Sequence, residues 1–478
     1  MSFTSIETFG YYEENMINRF RKKYIGDRTF YKMLMGIAFP IMIQNGMSNF
    51  VSLLDNIMVG QLGTEHMSGV AIVNQLIFVF YLLIFGGLSG VGIFTAQYFG
   101  NNDDEGIRHT FRYKLWLGFI ITVITTIVLL FEGDKLIGMY LNSSSEGGNL
   151  EATLFYGMQY LGVILFMLPP VYITQVYCST LRECGETKVP MIAGVIAVLT
   201  NLVLDYILIF GKLGLPALGI IGAAVATIIA RIIEMLVVII WSIRHSNTHT
   251  YFKGIYRTIK VPLNLVWKYF ITGIPLLLNE GLWSIGIVML NQAYSMRGLN
   301  VVAGQSIANT INNIFNIVFI AMGDAVAIII GQHLGSGDMK KARDEDTKII
   351  AFSIFTSIII GSIMFCTSGF FPKLYKTNEL ARLVATHFIM VQAIVMPKDA
   401  FLHTTYFTIR AGGKTIITFL FDSFFMLAVS VPIAHILIRC TTLGPVTVFA
   451  LVHCADLIKC VVGYILNKKG VWLNNIVQ

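Results

Sequence analysis

Two carboxylates stand in the middle of long apolar segments, where little water is present to solvate an ionised group. Glu280 lies in the run IPLLLNEGLWSIG and Asp399 in the run IVMPKDAFLHTTY. A carboxylate at the centre of a membrane span costs at least ~2.5 kcal/mol, so it faces a partner, an ion or water. Such a group can bind a proton or a metal cation and release it again. Glu280 and Asp399 are therefore candidate residues for ion coupling or substrate binding, and Na⁺ is the metal ion we consider for this pair.

A second set of polar residues occurs in two other apolar runs. Asp55 lies in VSLLDNIMVG and Asp205 in LTNLVLDYILIFG. Asn201 precedes Asp205 by four residues, so the two share one face of a helix and the amide oxygen can serve as a further ligand. Asp55, Asp205 and Asn201 form the second candidate site.

Auxiliary candidates are four more polar residues in apolar segments: His403, Lys398, Asp422 and Asp324. His403 follows Asp399 by four residues and shares its helix face. Lys398 directly precedes Asp399, and because neighbours on a helix point about 100° apart, the two need not pair. For each of these acids the alternative is a structural role in a buried ion pair or hydrogen bond. Arg231 and Glu234, three residues apart, fit that structural role best.

The composition indicates that lipid is the main solvent of these segments. Of the 478 residues, 55% are hydrophobic and 13% are charged, and the mean hydropathy is +0.71. Soluble proteins carry about 25% charged residues. Twelve apolar windows, the first at about 32–58 and the last at about 444–466, are each long enough to cross ~30 Å of hydrocarbon. The sequence predicts an all-α integral membrane protein with twelve transmembrane helices.

A long internal repeat organises these spans. A shift of 235 residues aligns the first half with the second, and later in each half the shift becomes 228. The matched residues are mostly Gly, Pro, Asp and Arg: Pro40/Pro275, Gly63/Gly298, Asp103/Asp338, Arg108/Arg343 and Gly185/Gly413. Because each half holds six spans, we expect two six-helix bundles related by a pseudo-two-fold axis along the membrane normal. The candidate acids are not duplicated, so shared residues are interpreted as scaffold and the acids as sites.

Basic residues are distributed unequally between the predicted loops. With the N-terminal tail placed in the cytoplasm, loops on that side hold 24 Lys and Arg, and the outer loops hold seven. This asymmetry predicts that both termini are cytoplasmic, in a multi-pass protein of the inner (plasma) membrane. The net charge of +7 is thus an orientation signal, and no nucleic-acid partner is expected.

The predicted organisation has five parts. They are a cytoplasmic tail (1–31), an N-lobe of six helices (32–243), a cytoplasmic linker (244–265), a C-lobe of six helices (266–466) and a cytoplasmic tail (467–478). None of the nine His forms a metal-ligand spacing, and no nucleophile stands beside a base, so an enzyme and a cofactor are not expected. A receptor is disfavoured because no long ligand-binding domain is present. A transporter remains, because two facing membrane bundles with midplane acids are typical of transporters.

Several segments resemble the MATE (multidrug and toxic compound extrusion) family of the MOP flippase superfamily, over nearly all of the chain after residue 30. They read LLDNIMVGQLG, GLSGVGIFTAQYFGNND, TLRECGETKVP, IPLLLNEGLWSIG and AIIIGQHLGSGDMKKA. Asp55, Asn201 and Asp205 match the N-lobe acidic site of that family. Glu280 and Asp399 match the second-lobe acids of its bacterial NorM-type branch.

The resemblance implies a Na⁺- or H⁺-driven antiporter that exports amphipathic, often cationic organic compounds by alternating access of the two lobes. Its partners would be these small molecules and membrane lipid, and the protein would be monomeric. Lys398 beside Asp399 and Asp324 in the eighth span depart from the family pattern. The alternative within the superfamily is a lipid-linked precursor flippase, for which we would expect an arginine-rich cavity in place of an acidic one.

Overall fold

The structure, a computed structural model, describes residues 21–143, 149–375 and 377–478, without the side chains of residues 52, 53, 142 and 143. Within these residues twelve helices are long and apolar enough to cross a membrane, as the sequence predicted. The helices α1 to α12 are Arg28–Gly60, Thr64–Gly100, Asp104–Ser143, Leu150–Glu183, Lys188–Phe210, Ile220–Arg244, Leu263–Ser295, Leu299–Gly335, Met339–Thr367, Glu379–Ala411, Thr415–Cys440 and Pro445–Lys469. The predicted tail up to residue 20, and Arg19 and Lys376 of the charge count, lie outside the described residues.

Three of these helices are not regular along their whole length. A single 3₁₀ turn interrupts α4 at Leu165–Met167. Two π-helical turns, Leu420–Phe424 and Met426–Ser430, replace the α-helical backbone in the middle of α11. The last helix, α12, is broken by a turn at Asp456. Such breaks in a helix often accompany functional sites, because they re-aim side chains and free backbone groups.

The chain divides into two compact units. One unit, here the N-unit, is Pro40–Gly281, and the other, here the C-unit, comprises Leu282–Gln478 with the described part of Met1–Phe39. The division runs through α1 at Pro40 and through α7 after Gly281. The first half of α7 therefore belongs with α2 to α6, and the beginning of α1 with α8 to α12. The predicted lobe boundaries at residues 243 and 266 remain predictions.

The glycines of the repeat occupy equivalent backbone positions in both units. Gly63 and Gly298, which precede α2 and α8, have φ of 127° and 109°. Gly185 and Gly413, which follow α4 and α10, have φ of 87° and 73°. A side chain at such positive φ is strained, so glycine is required at these turns. The interpretation of the shared residues as scaffold is confirmed here.

Both repeat offsets recur in one pair of helix crossings. A Cβ added to Gly69 of α2 would lie 2.8 Å from the carbonyl oxygen of Thr153 in α4. A Cβ added to Gly304 of α8 would lie 3.0 Å from the carbonyl oxygen of Ala381 in α10. The two glycines are 235 residues apart and the two carbonyls 228 apart. The second and fourth helices of each half therefore cross at the same point, with their backbones in close approach.

Two more repeated residues fix the end of each half. Asp103 caps α3, its Oδ1 accepting a bond of 2.9 Å from a backbone N–H one turn into the helix, and Asp338 caps α9 in the same way at 3.0 Å. Arg108 donates from Nη2 to the carbonyl of Thr250, at 3.0 Å, just after α6. Arg343 donates from Nη2 to the carbonyl of Lys468, also at 3.0 Å, at the end of α12. Each arginine thus ties the segment after the last helix of its half to the third helix.

The segment between α6 and α7 is bound to the N-unit along much of its length. Arg112 Nε donates to the Ile255 carbonyl at 3.0 Å, and Trp116 Nε1 donates to the Ile259 carbonyl at 3.1 Å. The hydroxyl of Tyr256 lies 2.5 Å from that of Tyr177. This segment, predicted as a linker, is accordingly an ordered part of the N-unit.

Candidate functional site

In the N-unit, Asp55 of α1 and Asp205 of α5 bring their carboxyl groups within hydrogen-bonding range of each other. Asp205 is only 1% exposed, and Asp55 is half-buried. The Oδ1 atom of each accepts no hydrogen bond from a donor in the described part of the chain. The sequence placed these residues on separate spans without stating that they meet, and the structure joins them.

The surroundings of this pair supply neutral oxygen and nitrogen groups. Asn201, one turn before Asp205, interacts with that carboxyl through its side chain and donates from Nδ2 to Thr227 Oγ1 of α6 at 3.4 Å. Tyr160 of α4 lies near both acids and donates to Asn74 of α2 at 3.4 Å. The predicted role of Asn201 beside Asp205 thus has a geometric basis, while Thr227, Tyr160 and Asn74 were not predicted.

Two carboxyl groups in contact repel each other when both are ionised. The contact becomes favourable when a proton or a cation lies between them. The open Oδ1 atoms of Asp55 and Asp205, with the amide of Asn201, provide the oxygen ligands that an alkali cation accepts. The same geometry suits a shared proton. The N-unit pair can therefore bind one of these ions and release it.

Arg231 of α6 and Glu234, one turn later, form the structural ion pair that their spacing predicted, with Nη1 2.7 Å from Oε2. Glu234 is buried, and Arg231 also exerts a favourable charge interaction on Asp55. A buried ion pair of this kind holds two helical turns in one arrangement.

Glu280 lies on α7, one residue before the end of the N-unit. A Cβ added to Gly86 of α2 would lie 3.1 Å from Leu277 Cα and 3.2 Å from Glu280 Cγ. The small side chains of Gly86 and Gly90, four residues apart, allow this close approach, because Gly90 faces Gly273 of α7. Glu280 is half-buried beside this crossing.

In the C-unit, Asp399 is part of a cluster between α10 and α12. Lys398 Nζ lies 2.8 Å from Asp399 Oδ1 and 2.9 Å from Asp456 Oδ2. It also lies 3.4 Å from both Nδ1 and the backbone carbonyl of His453. Lys398 and Asp399 therefore pair although they are neighbours on a helix, because the four-carbon stem of lysine lets the ammonium reach round to the carboxylate. We name Lys398, Asp399, His453 and Asp456 the C-unit cluster.

The irregular part of α11 lies beside this cluster in the sequence order of the same unit. Asp422, in the first π-helical turn, lies 3.5 Å from Lys459 Nζ of α12. The Lys459 ammonium also lies 5.6 Å from the ring centroids of Phe421 and Phe425. Asp422 thus has a cationic partner, and its ion pair is stabilised by cation–π contacts.

The remaining auxiliary candidates have different environments. The ring of His403 is buried against Phe319 and Phe407, with centroid distances of 5.7 and 4.9 Å. A Cβ added to Gly323 would lie 2.8 Å from its Nε2, so this glycine leaves room for the imidazole. Asp324 of α8 is half-buried. The contacts of His403 are those of a packing residue in an aromatic environment.

The structure thus brings together Asp55, Asn201 and Asp205 in one unit, and Lys398 with Asp399 in the other. Among residues not predicted for the site, the row His453, Asp456 and Lys459 stands out. These residues follow one another at intervals of three in an apolar span, and that spacing puts them on one helix face. Ionisable residues in such a row were a signal that the sequence did contain.

A scan against protein-family models matches one family, MatE, over residues 40–207 and 275–438. The two segments begin 235 residues apart, at Pro40 and Pro275, and together cover well over half of the chain. The chain belongs to the MatE family. It is therefore a multi-pass membrane transporter, consistent with the NorM-type branch, and not an enzyme.

Known relatives of this MatE transporter cover most of its length. The probable multidrug resistance protein YoeA of Bacillus subtilis is 24% identical over 413 residues, 84% of this chain and 86% of YoeA. The multidrug resistance protein MdtK of Pectobacterium atrosepticum is 26% identical over 382 residues, 77% of this chain and 79% of MdtK. The fold matches that of a MATE protein crystallised with MaL6, with a TM-score of 0.79, 22% identity, and coverage of 93% of this chain and 96% of that one.

The matched segments of the MatE transporter include some site residues and leave others out. Asp55 and Asp205 lie in the first segment, and Glu280 and Asp399 in the second. The second segment ends at residue 438, before α12 begins. The α12 side chains that bind Lys398 therefore lie beyond the part of this chain that the family model matches.

Proposed function

We propose that this MatE transporter is an antiporter that exports small amphipathic organic compounds, many of them cationic, in exchange for Na⁺ or H⁺. Transport would proceed by alternating access of the N-lobe and the C-lobe. Asp55, Asn201 and Asp205 would bind the coupling ion, and Glu280 and Asp399 would contribute to coupling or to substrate binding. The multidrug resistance named for its relatives supports organic drugs as the substrate class.

The observation that carries this proposal is the contact between the buried carboxyl groups of Asp55 and Asp205. Because such a contact is favourable only with a proton or cation between the groups, ion binding changes the stability of the packing around it. A ligand shifts a two-state equilibrium by its difference in affinity for the two states. An ion that binds this pair better in one state would thereby drive the conformational cycle.

The test is dye export from proteoliposomes that contain the purified transporter, with a Na⁺ gradient and a proton gradient imposed separately. We expect one of the gradients to accelerate ethidium export by at least about tenfold, which corresponds to about 1.4 kcal/mol. Asp205→Asn should abolish this acceleration, because a neutral amide cannot exchange a proton or balance a cation. Asp344→Asn is the matched control, since Asp344 is exposed and pairs only with Lys348 one turn away.

The proposal fails if neither gradient alters export of any organic cation tested. It also fails, for the N-lobe ion site, if Asp205→Asn responds to both gradients as the wild type does.

A lipid-linked precursor flippase remains the alternative within the superfamily. Such a substrate carries a pyrophosphate, which is bound by clustered arginines. The residues around Asp55 and around Asp399 are on balance acidic, which favours a cationic substrate. Export of a lipid-linked pyrophosphate by the purified protein, without export of organic cations, would favour the flippase.

The charge asymmetry supports a location in the inner membrane with both termini in the cytoplasm, and we propose the protein to be monomeric. Lys212, after α5, and Lys260, before α7, are both exposed. In single-cysteine variants, Lys212→Cys should react with a membrane-impermeant maleimide in intact cells, and Lys260→Cys should react only after permeabilisation. The reverse pattern would overturn the proposed orientation.

A further inference from the structure

The ammonium group of Lys398 is surrounded by acceptors in the C-unit cluster. An ammonium has three N–H donors, and four acceptor atoms lie within 3.4 Å of Nζ. They are Asp399 Oδ1, Asp456 Oδ2, and the Nδ1 and carbonyl oxygen of His453. The side chain of Lys398 is only 11% exposed, so water contributes little to its solvation. The cluster therefore provides nearly all of the coordination that this charge requires.

The same residues have the geometry of a metal-ion site. Asp399, His453 and Asp456 can each offer one ligand atom, and these three atoms lie within 4.8 Å of one another. Ligand atoms bind a zinc-like ion at about 2.0–2.2 Å, so three atoms so spaced can share one ion. Two carboxylates and one imidazole are a common donor set for such metals. In this structure the ammonium of Lys398 lies among those donors.

The backbone explains how this arrangement is reached. Pro397 directly precedes Lys398 in α10 and cannot donate to the carbonyl one turn earlier, which loosens the helix at that point. The turn at Asp456 breaks α12 between two α-helical segments. His453 lies one turn before that break, and its carbonyl accepts a bond from Lys398. Both helices are thus irregular where their side chains meet.

The charges in and next to the cluster add up to a single negative charge. Lys398 is opposed by the carboxylates of Asp399 and Asp456. The nearby Lys459 is compensated by Asp422 at 3.5 Å. Asp399 is the most exposed of the two cluster acids, at 33% against 19% for Asp456. One carboxylate is therefore accessible to a ligand, while the ammonium remains bound to the other.

We propose that Lys398 is a tethered cation that fills the metal-ion position of the C-unit cluster and limits it to one further, singly charged cation. This inference rests on the proposed export of organic cations, and it names the selectivity of the site around Asp399. A monocationic group binds Asp399 while the ammonium stays on Asp456. Divalent metal ions and dicationic compounds are rejected, because the cluster holds only one uncompensated negative charge and its ligands are already occupied.

The first test is binding of Co²⁺ alone to the purified full-length transporter, followed by visible absorption and by calorimetry. Wild type and Lys398→Arg, which keeps the charge, should show no site that depends on Asp456. Lys398→Met should gain one Co²⁺ site of at least about tenfold higher affinity than any in the wild type. Adding Asp456→Asn to Lys398→Met should remove the new site.

Two results would overturn the proposal. One is a wild-type Co²⁺ site that Asp399→Asn abolishes, since the ammonium would then not exclude the metal. The other is a folded Lys398→Met, by gel filtration and circular dichroism, that gains no site. Lys398→Gln is the second variant if Lys398→Met does not fold, and the same two outcomes apply to it.

The second test uses the wild type and needs no variant to fold. Ethidium carries one positive charge and propidium, built on the same ring system, carries two. The wild type should export ethidium at least about tenfold faster than propidium, and equal rates would overturn the proposed charge limit. If the wild type exports neither compound, the proposed function fails, and the Co²⁺ experiment on the purified protein still decides the role of Lys398.

Discussion

At the scale of single residues, the two units present different solutions to buried negative charge. In the N-unit, Asp55 and Asp205 face each other, and their oxygens are available to a proton or a cation. In the C-unit, Asp399 has a permanent cationic neighbour in Lys398. The repeat explains why both sites can exist on one scaffold, because glycines, caps and arginines are duplicated while these acids are not.

The unduplicated acids lead to the first prediction. Glu280→Gln and Asp399→Asn should each lower the initial rate of ethidium export by more than about tenfold, because each removes a charge proposed to bind ion or substrate. Both variants should still be found in the membrane in normal amounts. The measurement is dye export from cells together with a quantitative immunoblot of membranes.

Glu132→Gln is the control for this prediction, since Glu132 is exposed and pairs only with Lys135 three residues later. Normal export by both Glu280→Gln and Asp399→Asn would show that their carboxylates have a structural role.

The element scale shows how the repeat is built into the packing, and it gives the second prediction. A Cβ on Gly69 would lie 2.8 Å from the backbone of α4, which cannot yield as a side-chain end would. Gly69→Ala should therefore destabilise the N-unit by about 1–3 kcal/mol, the usual cost of overpacking. The measurement is the thermal unfolding midpoint of the purified protein in detergent.

Gly162→Ala is the matched control, because a Cβ on this α4 glycine meets no atom within 4 Å. Alanine favours a helix by up to about 1 kcal/mol over glycine, so this variant should be as stable as the wild type or more stable. Equal midpoints for Gly69→Ala and Gly162→Ala would contradict the close crossing of α2 and α4.

The ordered segment after α6 gives a third prediction, at Cys184. This thiol is buried beneath Tyr251, and burial raises its pKa well above the usual range, with the charge of Glu183 adding to the effect. A thiol with a raised pKa is neutral up to high pH and reacts slowly with maleimide. In single-cysteine variants at pH 8, Cys184 should react at less than about a tenth of the rate of exposed Cys440.

Arg108→Gln should raise the labelling rate at Cys184, because it releases the Thr250 carbonyl that holds the segment over the thiol. Denaturation in detergent should make Cys184 and Cys440 react alike. Equal labelling rates in the folded protein would contradict the docking of this segment.

Elements also show which parts of the structure the sequence could predict. Span number, the repeat and the pairing of Arg231 with Glu234 follow from hydropathy and helix spacing, so they were predictable. The π-helical turns of α11 and the break at Asp456 were not, because they result from tertiary contacts and leave no periodic signal. The bond between Lys398 and Asp399 depends on how a long side chain curls, which residue spacing does not determine.

At the scale of the whole molecule, the division of α1 and α7 between the units was also beyond sequence analysis. Hydropathy marks where a span lies, but it does not report with which bundle each half of a helix packs. The division at Pro40 lies at a residue that lacks a backbone donor, where a helix can bend at low cost. Gly281 provides no such signal, because no atom lies near it and its backbone is helical.

Antiport requires that the ion and the substrate influence each other's binding, and this gives the last prediction. If the coupling ion lowers substrate affinity by some factor, thermodynamic linkage requires the substrate to lower ion affinity by the same factor, typically about 5–150-fold. Equilibrium binding of ethidium to the purified transporter, measured at several concentrations of the coupling ion, gives one factor, and ion binding at several ethidium concentrations gives the other. Asp205→Asn should abolish both effects while ethidium still binds, because the ion site is lost and the substrate site remains. A wild type that binds ethidium equally well at all ion concentrations would contradict coupled exchange, since an ion without differential affinity cannot drive transport.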